Sequence, residues 1–576
     1  MCGIAGIFGP LVSREKLRSM VDVQKHRGPD SQGIYLDPEG QAALGHCRLR
    51  IIDLSETGNQ PMTDSSGRYV MVFNGEIYNY IELRRELEAS WQFCGKSDSE
   101  VLLAAYAEWG EECLDRLIGM FAFLIWDSEK GSLFAARDRF GVKPLYYGKG
   151  ADGCWYMASE IKALHRGGVS KQPDESTWAS YLSHGVYDHD ENSFWRHVRK
   201  LPPGHFFTLR GDELRIKQWY KLPERVGMDF DERSLEVIKE EYFELLKQSI
   251  RLRFRSDVEV GINLSGGLDS SALFTLVKDM GRGRVGVNAF TFITGDERYD
   301  ELPWVRKIVE GGDCPLITCL LRPEDVPELA EEVSRNQDEP FGGFPTLAYA
   351  RLFQKAREMK IIVLLDGQGM DEQLAGYDYY ARASSVAMNI GPVQGSSSSA
   401  TLDRCLRPDF RELARPMDVM SFFSNPLQNL QYRDIYQTKI PRALRFNDRA
   451  SMMYSVELRE PFLDHRLVEF GFRLPEALKI KDGRGKWLLR DILRDLLPSE
   501  VGEAPKRPVQ TPQREWLQRD LATWGEECIE RALDGWGGHW LDSVEVRSAW
   551  RDFTINGRDN SFPFWQWISL GLLQDK

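Results

Sequence analysis

Residues 264–271 read Leu264-Ser265-Gly266-Gly267-Leu268-Asp269-Ser270-Ser271. The apolar run at residues 258–264 is a predicted strand, and residues 270–280 are a predicted helix. Glycines let a backbone approach a phosphate closely, and the start of a helix offers unpaired N–H groups and a favourable dipole. A purely structural glycine turn is the alternative interpretation.

This loop lacks the pattern GxxxxGK[ST] of the Walker phosphate-binding loop, and with it the lysine that would reach a γ-phosphate. The loop therefore favours a pyrophosphate leaving group, and hence adenylyl transfer. Ser265 and Ser270 would add hydroxyl donors, and Asp269 is a candidate magnesium ligand.

Strands and helices alternate on both sides of the loop. Further strands are predicted at residues 287–292 and 361–365, and the chain from about residue 410 is largely helical. Residues 395–399, which are Gly-Ser-Ser-Ser-Ser, are a predicted flexible surface loop. Such alternation predicts a parallel sheet with helices on both faces, that is, a doubly wound α/β nucleotide-binding domain with helical C-terminal additions.

A second loop of this half carries acidic residues. It reads Asp366-Gly367-Gln368-Gly369-Met370-Asp371-Glu372. Loops at the carboxyl ends of parallel strands converge on one ligand crevice, so we expect Asp371 to complete a magnesium site with Asp269. Asp371 could instead cap the helix that follows, and both roles are compatible.

The first part of the chain has a different pattern, with short β-type runs separated by turn signals. These runs lie at residues 70–73, 121–126, 133–136 and 155–158. Two helical patterns lie near residues 79–89 and 99–109, a last hairpin begins at residue 201, and the polar stretch 222–233 reads as a linker. We therefore predict a first domain of residues 1–210, a linker of residues 211–235 and a second domain of residues 236–576.

Cys2 directly follows the initiator methionine. Removal of Met1 would leave a thiol and a free α-amine on one residue. An α-amine has an unperturbed pKa near 8, so it can take a proton from the thiol at neutral pH and return it. This predicts a hydrolase with an N-terminal nucleophile. The alternative is a small buried residue at the start of a strand.

Length and composition exclude several classes of protein. The 576 residues predict two to four domains, and a net charge of −13 argues against nucleic acid as the main partner. No apolar run approaches the ~20 residues that span a bilayer, and no secretory signal is visible. The nine cysteines form no CxxC pair, which argues against metal and disulfide frameworks and fits a reducing cytoplasm.

Together these residues resemble glutamine-dependent asparagine synthetases over nearly the whole chain. Five of the matching segments lie in the first half: Cys2-Gly3-Ile4, His26-Arg27-Gly28-Pro29-Asp30, Arg48-Leu49-Arg50-Ile51-Ile52-Asp53, Asn74-Gly75-Glu76-Ile77-Tyr78-Asn79 and Ser97-Asp98. Those of the second half, besides residues 264–271, are Asp338-Glu339-Pro340-Phe341, the GxGxDExxxGY frame at residues 367–377, Asp448-Arg449-Ala450-Ser451-Met452, Glu460-Pro461-Phe462-Leu463-Asp464 and Gly485-Lys486.

The resemblance implies a glutaminase site in an N-terminal αββα sandwich. Cys2 would attack the side-chain amide of glutamine and release ammonia, with Asn74 and Gly75 as the oxyanion hole. Arg48 would bind the α-carboxylate of glutamine, and Asp98 its α-amine. The remaining residues of the pocket would be Leu49, Ile51, Ile52 and Glu76.

The resemblance also implies a second site, which ammonia would reach through an internal tunnel. There ATP, with Mg²⁺, would convert an acceptor carboxylate to an acyl-adenylate, which ammonia attacks to give an amide, AMP and pyrophosphate. Lys486 would reach the activated phosphate. The implied ATP-binding residues are Leu264, Ser265, Gly266, Gly267, Asp269, Ser270, Phe292, Asp366 and Gly367, with Leu264 and Phe292 beside the adenine. A homodimer is also implied.

Two residues depart from the family pattern, which usually has Ser-Gly-Glu-Gly or Ser-Gly-Asp-Gly where this chain has Asp366 to Gly369. Asp366 puts a negative charge where a hydroxyl would touch pyrophosphate, which is unfavourable unless magnesium or Lys486 lies close. Gln368 replaces a carboxylate that handles aspartate, and an uncharged amide cannot attract the aspartate ammonium group. The acceptor is therefore either L-aspartate or another carboxylate, such as a sugar uronic acid of surface-polysaccharide biosynthesis.

Two further functions are less compatible with the sequence. Lactam-forming relatives lack the N-terminal cysteine and the glutamine pocket, which this chain has in Cys2, Arg48, Asn74 and Asp98. A non-catalytic glutamine-sensing or assembly module would require one inactive site, and neither site looks inactive by sequence.

Overall fold

The computed structural model describes residues 2–281, 287–310, 314–382, 401–507, 510–557 and 560–574. Met1, whose removal the sequence predicts, and the predicted loop at residues 395–399 lie outside the described residues. In the part of the chain that is described, no helix is both long enough and apolar enough to cross a membrane.

The N-terminal half contains two antiparallel sheets, each of six strands in the described residues. Its strands are β1 (Gly3–Phe8), β2 (Ser31–Leu36), β3 (Ala42–Arg48), β4 (Met62–Thr63), β5 (Tyr69–Ile77), β6 (Gly119–Asp127), β7 (Ser132–Arg137), β8 (Tyr146–Lys149), β9 (Trp155–Ala158), β10 (Val198–Lys200), β11 (His205–Arg210) and β12 (Glu213–Gln218). Its helices are α1 (Arg14–Asp22), α2 (Tyr80–Leu87), α3 (Asp98–Trp109), α4 (Cys113–Arg116), α5 (Ile161–Gly167) and α6 (Glu175–His184).

These elements form four layers. The sheet ordered β10-β8-β9-β1-β3-β2 packs against the sheet ordered β12-β11-β7-β6-β5-β4 through a core that includes Phe8, Leu124 and Trp126. Helices α1 and α5 cover the outer face of the first sheet, and α2 and α3 cover that of the second. The predicted αββα sandwich is therefore confirmed.

Strand β1 lies inside this sandwich and fixes the position of Cys2. All six of its residues are buried, which explains why it reads as a continuous apolar run rather than an alternating one. A Cβ on Gly6 would lie 2.7 Å from Leu124 Cδ1 in the facing sheet, so a larger residue there would displace that side chain. Close packing of the two sheets at this point brings the start of β1 beside the end of β5.

The C-terminal half is built around a parallel sheet. Its strands are β13 (Val260–Asn263), β14 (Ala289–Ile293), β15 (Leu316–Leu320), β16 (Val363–Leu365) and β17 (Glu457–Arg459). Its helices are α7 (Leu222–Val226), α8 (Leu235–Arg253), α9 (Leu268–Gly281), α10 (Leu302–Val309), α11 (Val326–Gln337), α12 (Phe344–Glu358), α13 (Met370–Gln373), α14 (Pro408–Arg411), α15 (Pro426–Arg433), α16 (Lys439–Met452), α17 (His465–Arg473), α18 (Glu476–Lys479), α19 (Trp487–Ile492), α20 (Ser499–Gly502), α21 (Gln513–Gln518), α22 (Ala522–Asp534), α23 (Gly537–Trp540), α24 (Ser543–Asn556) and α25 (Phe562–Gln574).

The order of this sheet, β15-β14-β13-β16-β17, is doubly wound as the sequence predicts. The chain reverses direction across the sheet between β13 and β16, which are neighbours and parallel. The loops that follow these two strands therefore leave the same edge side by side, where open α/β sheets bind their ligands.

The region between the halves is more ordered than its polar composition indicates. Strand β12 extends the second sheet to Gln218, beyond the predicted limit at residue 210, and α7 lies within the stretch predicted as a linker. Leu222 and Val226 of α7 are buried in a cluster that includes Phe472 of α17. Between its two buried apolar residues α7 has a proline and two charged residues, so composition alone does not reveal the helix. We propose that the first domain includes β12.

Buried ion pairs join the two halves. The guanidinium of Arg27 makes a bidentate pair with Asp448 of α16, at 2.9 and 3.1 Å, and lies 2.9 Å from Glu160. Arg449 lies 3.0 Å from the same Glu160 oxygen. At most 4% of any of these four side chains is exposed. Buried charges are stable only when each has a partner of opposite charge. These ion pairs therefore favour one relative position of the two halves.

We predict that Asp448→Ala destabilises the protein by the ~3–5 kcal/mol typical of breaking a buried pair, because it leaves Arg27 only partly compensated. Urea denaturation followed by intrinsic fluorescence would measure the shift of the midpoint. Asp212→Ala, which removes an exposed carboxylate paired with Lys149, is the matched control and should not move the midpoint. Equal midpoints for both variants would show that the buried pair does not hold the interface.

Candidate active sites

Cys2 lies at the start of β1, with 9% of its surface exposed. Its backbone nitrogen donates a hydrogen bond to Asn74 Oδ1 over 3.0 Å, and the Leu49 N–H donates to its thiol. Burial raises the pKa of the thiol, while the nearby charge of Arg48 acts in the opposite direction. The thiol therefore requires an adjacent base for activation, as an α-amine on the same residue would provide.

The structure places the Asn74 side chain against the backbone nitrogen of Cys2, and Gly75 is the next residue of β5. Asn74 Nδ2 is fully buried and has no hydrogen-bond partner among the described residues. A buried amide donor without a partner is costly, which indicates that a ligand atom belongs opposite it. A Cβ on Gly75 would lie 2.1 Å from Met120 O in the adjacent strand, so this position admits only glycine.

Arg48 is anchored by the loop that follows it. Its Nη1 donates to Ser55 O (2.6 Å) and Asn59 Oδ1 (3.0 Å), and its Nη2 donates to the carbonyls of Ile52 and Asp53. The guanidinium is thus held rigidly near Cys2 by the protein itself. The binding of a substrate carboxylate by Arg48 stays a prediction. It would require the guanidinium N–H groups to donate to the carboxylate as well as to these protein oxygens.

The carboxylates predicted for the glutamine pocket are both buried. Asp98 begins α3, and its Oδ2 accepts a hydrogen bond from the Ile77 N–H at 2.9 Å. Burial raises the pKa of Asp98 to about 6. Burial, and then the charge of Glu457, raise the pKa of Glu76 well above its usual range. The apolar residues Leu49, Ile51 and Ile52 are buried as well.

Arg27 also contacts Cys2, although its sequence context predicts no role for it. Its Nε donates to the carbonyl of Cys2 at 3.1 Å, while its other nitrogens bind Glu160 and Asp448. Arg27 therefore binds the backbone of Cys2 and contacts the second half of the chain at the same time. The segment at residues 26–30 matches the family, which is the only signal in the sequence for a role of Arg27. Its partners Glu160 and Asp448 are too distant in sequence to be inferred.

The predicted phosphate loop connects β13 to α9. Ser270 Oγ accepts a hydrogen bond from the Ser265 N–H (3.1 Å), lies 3.0 Å from Ser265 Oγ and donates to Gly267 O (3.2 Å). Gly266 has a φ of 73°, which favours glycine. A Cβ on Gly267 would meet only Ser265 Oγ, at 3.5 Å, so the loop is open above this residue.

Two acidic and two basic side chains meet beside this loop. Lys486 Nζ lies 2.7 Å from both carboxylate oxygens of Asp269 and also pairs with Asp371, which in turn pairs with Lys506. Burial acts to raise the pKa of Asp371, but the charges of Lys486 and Lys506 hold it well below its usual range. A Cβ on Gly376 would lie 2.0 Å from Asp371 Oδ1, so the glycine makes room for this cluster.

The cluster fits a magnesium ion. Asp269 and Asp371 both contact the ammonium group of Lys486. A Mg²⁺ ion in that region could therefore bind both carboxylates, which are the oxygen ligands that it prefers. The described residues contain no group of three or more metal-binding side chains. Such a site would be completed by phosphate and water oxygens, as is usual for Mg²⁺ in nucleotide sites.

Leu264 and Phe292, the predicted neighbours of adenine, line one cavity beside the loop, together with Ser265 and Tyr299. Leu264 is fully buried, and the ring of Phe292 meets that of Tyr349 edge to face, at 5.4 Å. The structure therefore places both residues next to the phosphate loop, and the binding of adenine there stays a prediction.

The environment of Asp366 differs from the one that the sequence predicts. No cation lies within ion-pair distance of it in the described chain; instead it accepts hydrogen bonds from the N–H of Gly367 (2.8 Å) and from Asn263 Nδ2 (3.3 Å). Burial raises its pKa to about 6. At neutral pH a carboxyl group with this pKa is still mostly ionised, and its charge is stabilised by these hydrogen bonds rather than by Lys486.

Gln368 lies between two buried carboxyl groups. Its side chain hydrogen bonds with Asp366, and its backbone N–H donates to Glu460. Glu460 Oε2 is buried without a hydrogen-bond partner in the described residues. Burial, and then the charge of Asp366, raise the pKa of Glu460 well above its usual range. In the sequence, Glu460 belongs to the matching segment at residues 460–464, which does not by itself predict a role for it.

Comparison with known proteins agrees with this geometry. Residues 1–220 match the family model of the glutamine amidotransferase domain, and residues 241–574 match that of asparagine synthase.

Three relatives illustrate the range of similar proteins. Asparagine synthetase (glutamine-hydrolysing) 1 of Bacillus subtilis is 29% identical over 98% of this chain and 95% of its own. Asparagine synthetase (glutamine-hydrolysing) 3 of the same organism is 30% identical over 91% of this chain and 89% of its own. A protein named amidase chry2, from Gibberella zeae, is 27% identical over 90% of this chain and 88% of its own.

We predict that Asn74→Ala lowers kcat for glutamine hydrolysis by ~10²–10³, because it removes a buried amide donor that has no partner among the described residues. Release of glutamate would be measured. Asn192→Ala, which removes an exposed amide bonded to Asp190, is the matched control and should hydrolyse glutamine at the wild-type rate. Wild-type turnover by the Asn74 variant would remove it from the oxyanion hole.

We also predict a pH dependence. Since the pKa of Asp98 is about 6, its carboxylate is ionised above this pH and protonated below it. If the carboxylate binds the α-ammonium of glutamine, kcat/KM for glutamine falls about tenfold per pH unit below pH 6. Asp98→Asn should lower kcat/KM and abolish the dependence. A wild-type profile that is flat from pH 7 to pH 5 would contradict this role.

Proposed function

This chain belongs to the asparagine synthase family, and we propose that it uses glutamine and ATP to convert the side-chain carboxylate of L-aspartate to the amide of asparagine. Its two halves match a glutamine amidotransferase domain and an asparagine synthase domain, which makes it a glutamine-dependent carbon–nitrogen ligase. The acceptor, the products and the roles of individual residues are the proposal.

In the first half, the thiol of Cys2 attacks the amide carbon of glutamine. The α-amine of Cys2, once Met1 is removed, takes the thiol proton and returns it to the departing ammonia. Asn74 Nδ2 donates to the oxyanion that forms, since it is buried and unpartnered in the described chain. Water then releases glutamate from the thioester. Arg27 keeps the Cys2 carbonyl, and so the nucleophile, in place.

In the second half, an oxygen of the acceptor carboxylate attacks the α-phosphorus of ATP, which the family uses. The hydroxyls of Ser265 and Ser270 hold the loop that binds the phosphates, and Lys486 stabilises the charge of the leaving pyrophosphate. Asp269 and Asp371 would hold Mg²⁺, which when bound supplies positive charge to the phosphates. Ammonia then attacks the acyl-adenylate, giving the amide and AMP.

The observation that supports aspartate is the Glu460 oxygen that has no hydrogen-bond partner in the described part of the chain, beside Gln368. Gln368 cannot itself attract an ammonium group. However, Asp366 and Glu460 are two buried carboxyl groups in contact with Gln368, and their raised pKa values indicate missing positive charge. The α-ammonium of aspartate would supply that charge. The negative charge that the family has at residue 368 is thus provided by its neighbours.

A sugar uronic acid is the second candidate acceptor. Buried carboxyl groups with raised pKa values can stay protonated and hydrogen bond with sugar hydroxyls, and the uncharged Gln368 is compatible with an acceptor that has no amine. One similar protein, amidase chry2 of Gibberella zeae, has a name other than asparagine synthetase.

The test is pyrophosphate release from Met1-free enzyme with glutamine, ATP and Mg²⁺. L-aspartate should support release with stoichiometric asparagine, and Glu460→Gln should raise KM for aspartate about tenfold or more without altering glutamine hydrolysis. Glu328→Gln, a surface change, is the control. Release with glucuronate or galacturonate but not with aspartate would select the second candidate. Release with neither would overturn both acceptors.

Cytoplasmic location, the absence of nucleic-acid partners and a homodimer follow from composition and resemblance, and remain proposals.

A further inference from the structure

A cavity of about 700 Å³ lies between the two halves of the chain. Its lining residues come from the stretches 137–146 and 188–218 of the first half and 415–449 of the second, and none of them is a residue predicted for either active site. Small-molecule sites in proteins commonly have volumes of about 300–1,000 Å³. The cavity is therefore large enough for a ligand that neither active site binds.

Two arginines of α16 line this cavity and have unused hydrogen-bond donors. Arg445 donates from Nε to Asp188 (2.8 Å) and from Nη2 to Pro340 O (2.7 Å), but its Nη1 is buried and has no partner among the described residues. None of the three nitrogens of Arg449 makes a hydrogen bond in the described chain, although Nη1 lies 3.0 Å from Glu160. Because buried donors without a partner are costly, we expect an acceptor opposite them.

The carboxylates beside these arginines are shared with other cations. Asp188 also pairs with Lys200, at 3.1 Å, and Glu160 also pairs with Arg27, at 2.9 Å. Arg137, on the side of the first half, donates to three backbone carbonyls and has no carboxylate within ion-pair distance in the described chain. Apart from exposed residues, the wall carries four cations and two carboxylates. This excess favours an anion, and a carboxylate fits the planar fork of arginine.

The wall also contains a continuous row of aromatic rings. The centre of the Tyr436 ring lies 6.1 Å from that of Phe140 and 4.7 Å from that of Tyr432. The Phe422 ring follows, 4.9 Å from that of Tyr432. Aromatic rings pack favourably against other rings, so this row favours a ligand with a flat apolar body.

Water alone is the simpler interpretation of this cavity. A volume of about 700 Å³ corresponds to on the order of twenty water molecules, and water can accept from the unpartnered donors. However, water would leave the excess positive charge uncompensated and would hydrate the aromatic row, and both cost free energy. An organic anion would satisfy the donors, the charge and the rings together.

The exposed part of the wall limits the charge of such a ligand. The carboxylates of Asp190, Glu191 and Asp418 line the cavity and are exposed. They would repel a multiply charged anion such as a nucleotide more strongly than a singly charged one. The charges therefore favour a ligand with one carboxylate.

We propose that this cavity is a binding site for an organic monocarboxylate with an apolar, ring-sized body, whose carboxylate accepts hydrogen bonds from Arg445 and Arg449. The ligand undergoes no reaction there, and neither glutamine nor the acceptor of the proposed function would bind in this place. Arg449 and the adjacent Asp448 belong to the buried ion pairs that join the two halves. Because the ligand binds the folded protein, it should raise the midpoint of thermal unfolding.

The test measures binding of three probes, phenylacetate, hydrocinnamate and naphthylacetate, to the full-length protein by ligand-observed NMR. At least one carboxylate should bind about tenfold or more tightly than its neutral amide, because only the carboxylate makes charge-assisted hydrogen bonds. Arg445→Met should weaken that binding about tenfold. Arg547→Met is the matched control and should bind like the wild type, since Arg547 is exposed, pairs with Glu530 and does not line the cavity.

Hydrogen exchange of the wild-type protein, read by mass spectrometry, locates the bound probe without any variant. The probe should slow exchange at residues 188–200 and 432–449 and leave residues 48–53 and 264–271 unchanged. Equal binding of carboxylates and amides, or no binding of any of the three carboxylates, would overturn the proposal and indicate a cavity filled by water alone. Slower exchange at residues 48–53 instead would place the carboxylate beside Arg48, in the predicted glutamine pocket, and would overturn it as well. Either result leaves the proposed function standing.

Discussion

One residue of the edge strand β17 contacts both active sites. The carbonyl of Arg459 accepts a hydrogen bond from the Asp366 N–H at 2.9 Å, in the loop that carries Gln368. Its guanidinium lies 3.4 Å from Glu76 in the glutaminase pocket and 2.6 Å from Glu457. Arg459 is fully buried, so its charge is stable only while both carboxylates stay in place. Arg459 thus connects the loop of Asp366 to the predicted glutamine pocket.

The second connection runs through helix α16. Asn447 Nδ2 lies 3.5 Å from Asp366 Oδ2, and the next residue, Asp448, binds Arg27, which holds the carbonyl of Cys2. Both connections start from Asp366 and lead into the first half of the chain, one to Glu76 and the other to the carbonyl of Cys2. The loop of Asp366 is thus linked to the first half of the chain through hydrogen bonds and ion pairs, and in the second connection also through the covalently adjacent Asn447 and Asp448. This arrangement suits an enzyme in which ammonia made at one site is consumed at the other.

The parts that the sequence could predict are those encoded locally. The phosphate loop at residues 264–271 follows a short apolar run and begins a helix, so the same short segment predicts both its structure and its chemistry. The same is true of Cys2 before an unbroken apolar strand. What could not be predicted depends on pairs far apart in the chain, such as Arg27 with Asp448 or Lys506 with Asp371. Asp366 illustrates the limit, because its charge looked unfavourable until Asn263 and the Gly367 N–H were seen to stabilise it.

The central claim is that the two sites act as one enzyme, and isotope transfer tests it most directly. The protein would be given ATP, Mg²⁺, the acceptor that supports pyrophosphate release, amide-¹⁵N glutamine and an excess of unlabelled ammonium. The account predicts that the product amide carries ¹⁵N at nearly the enrichment of the glutamine, because ammonia passes between the sites without mixing with solvent. Product with the isotopic composition of the bulk ammonium would contradict it.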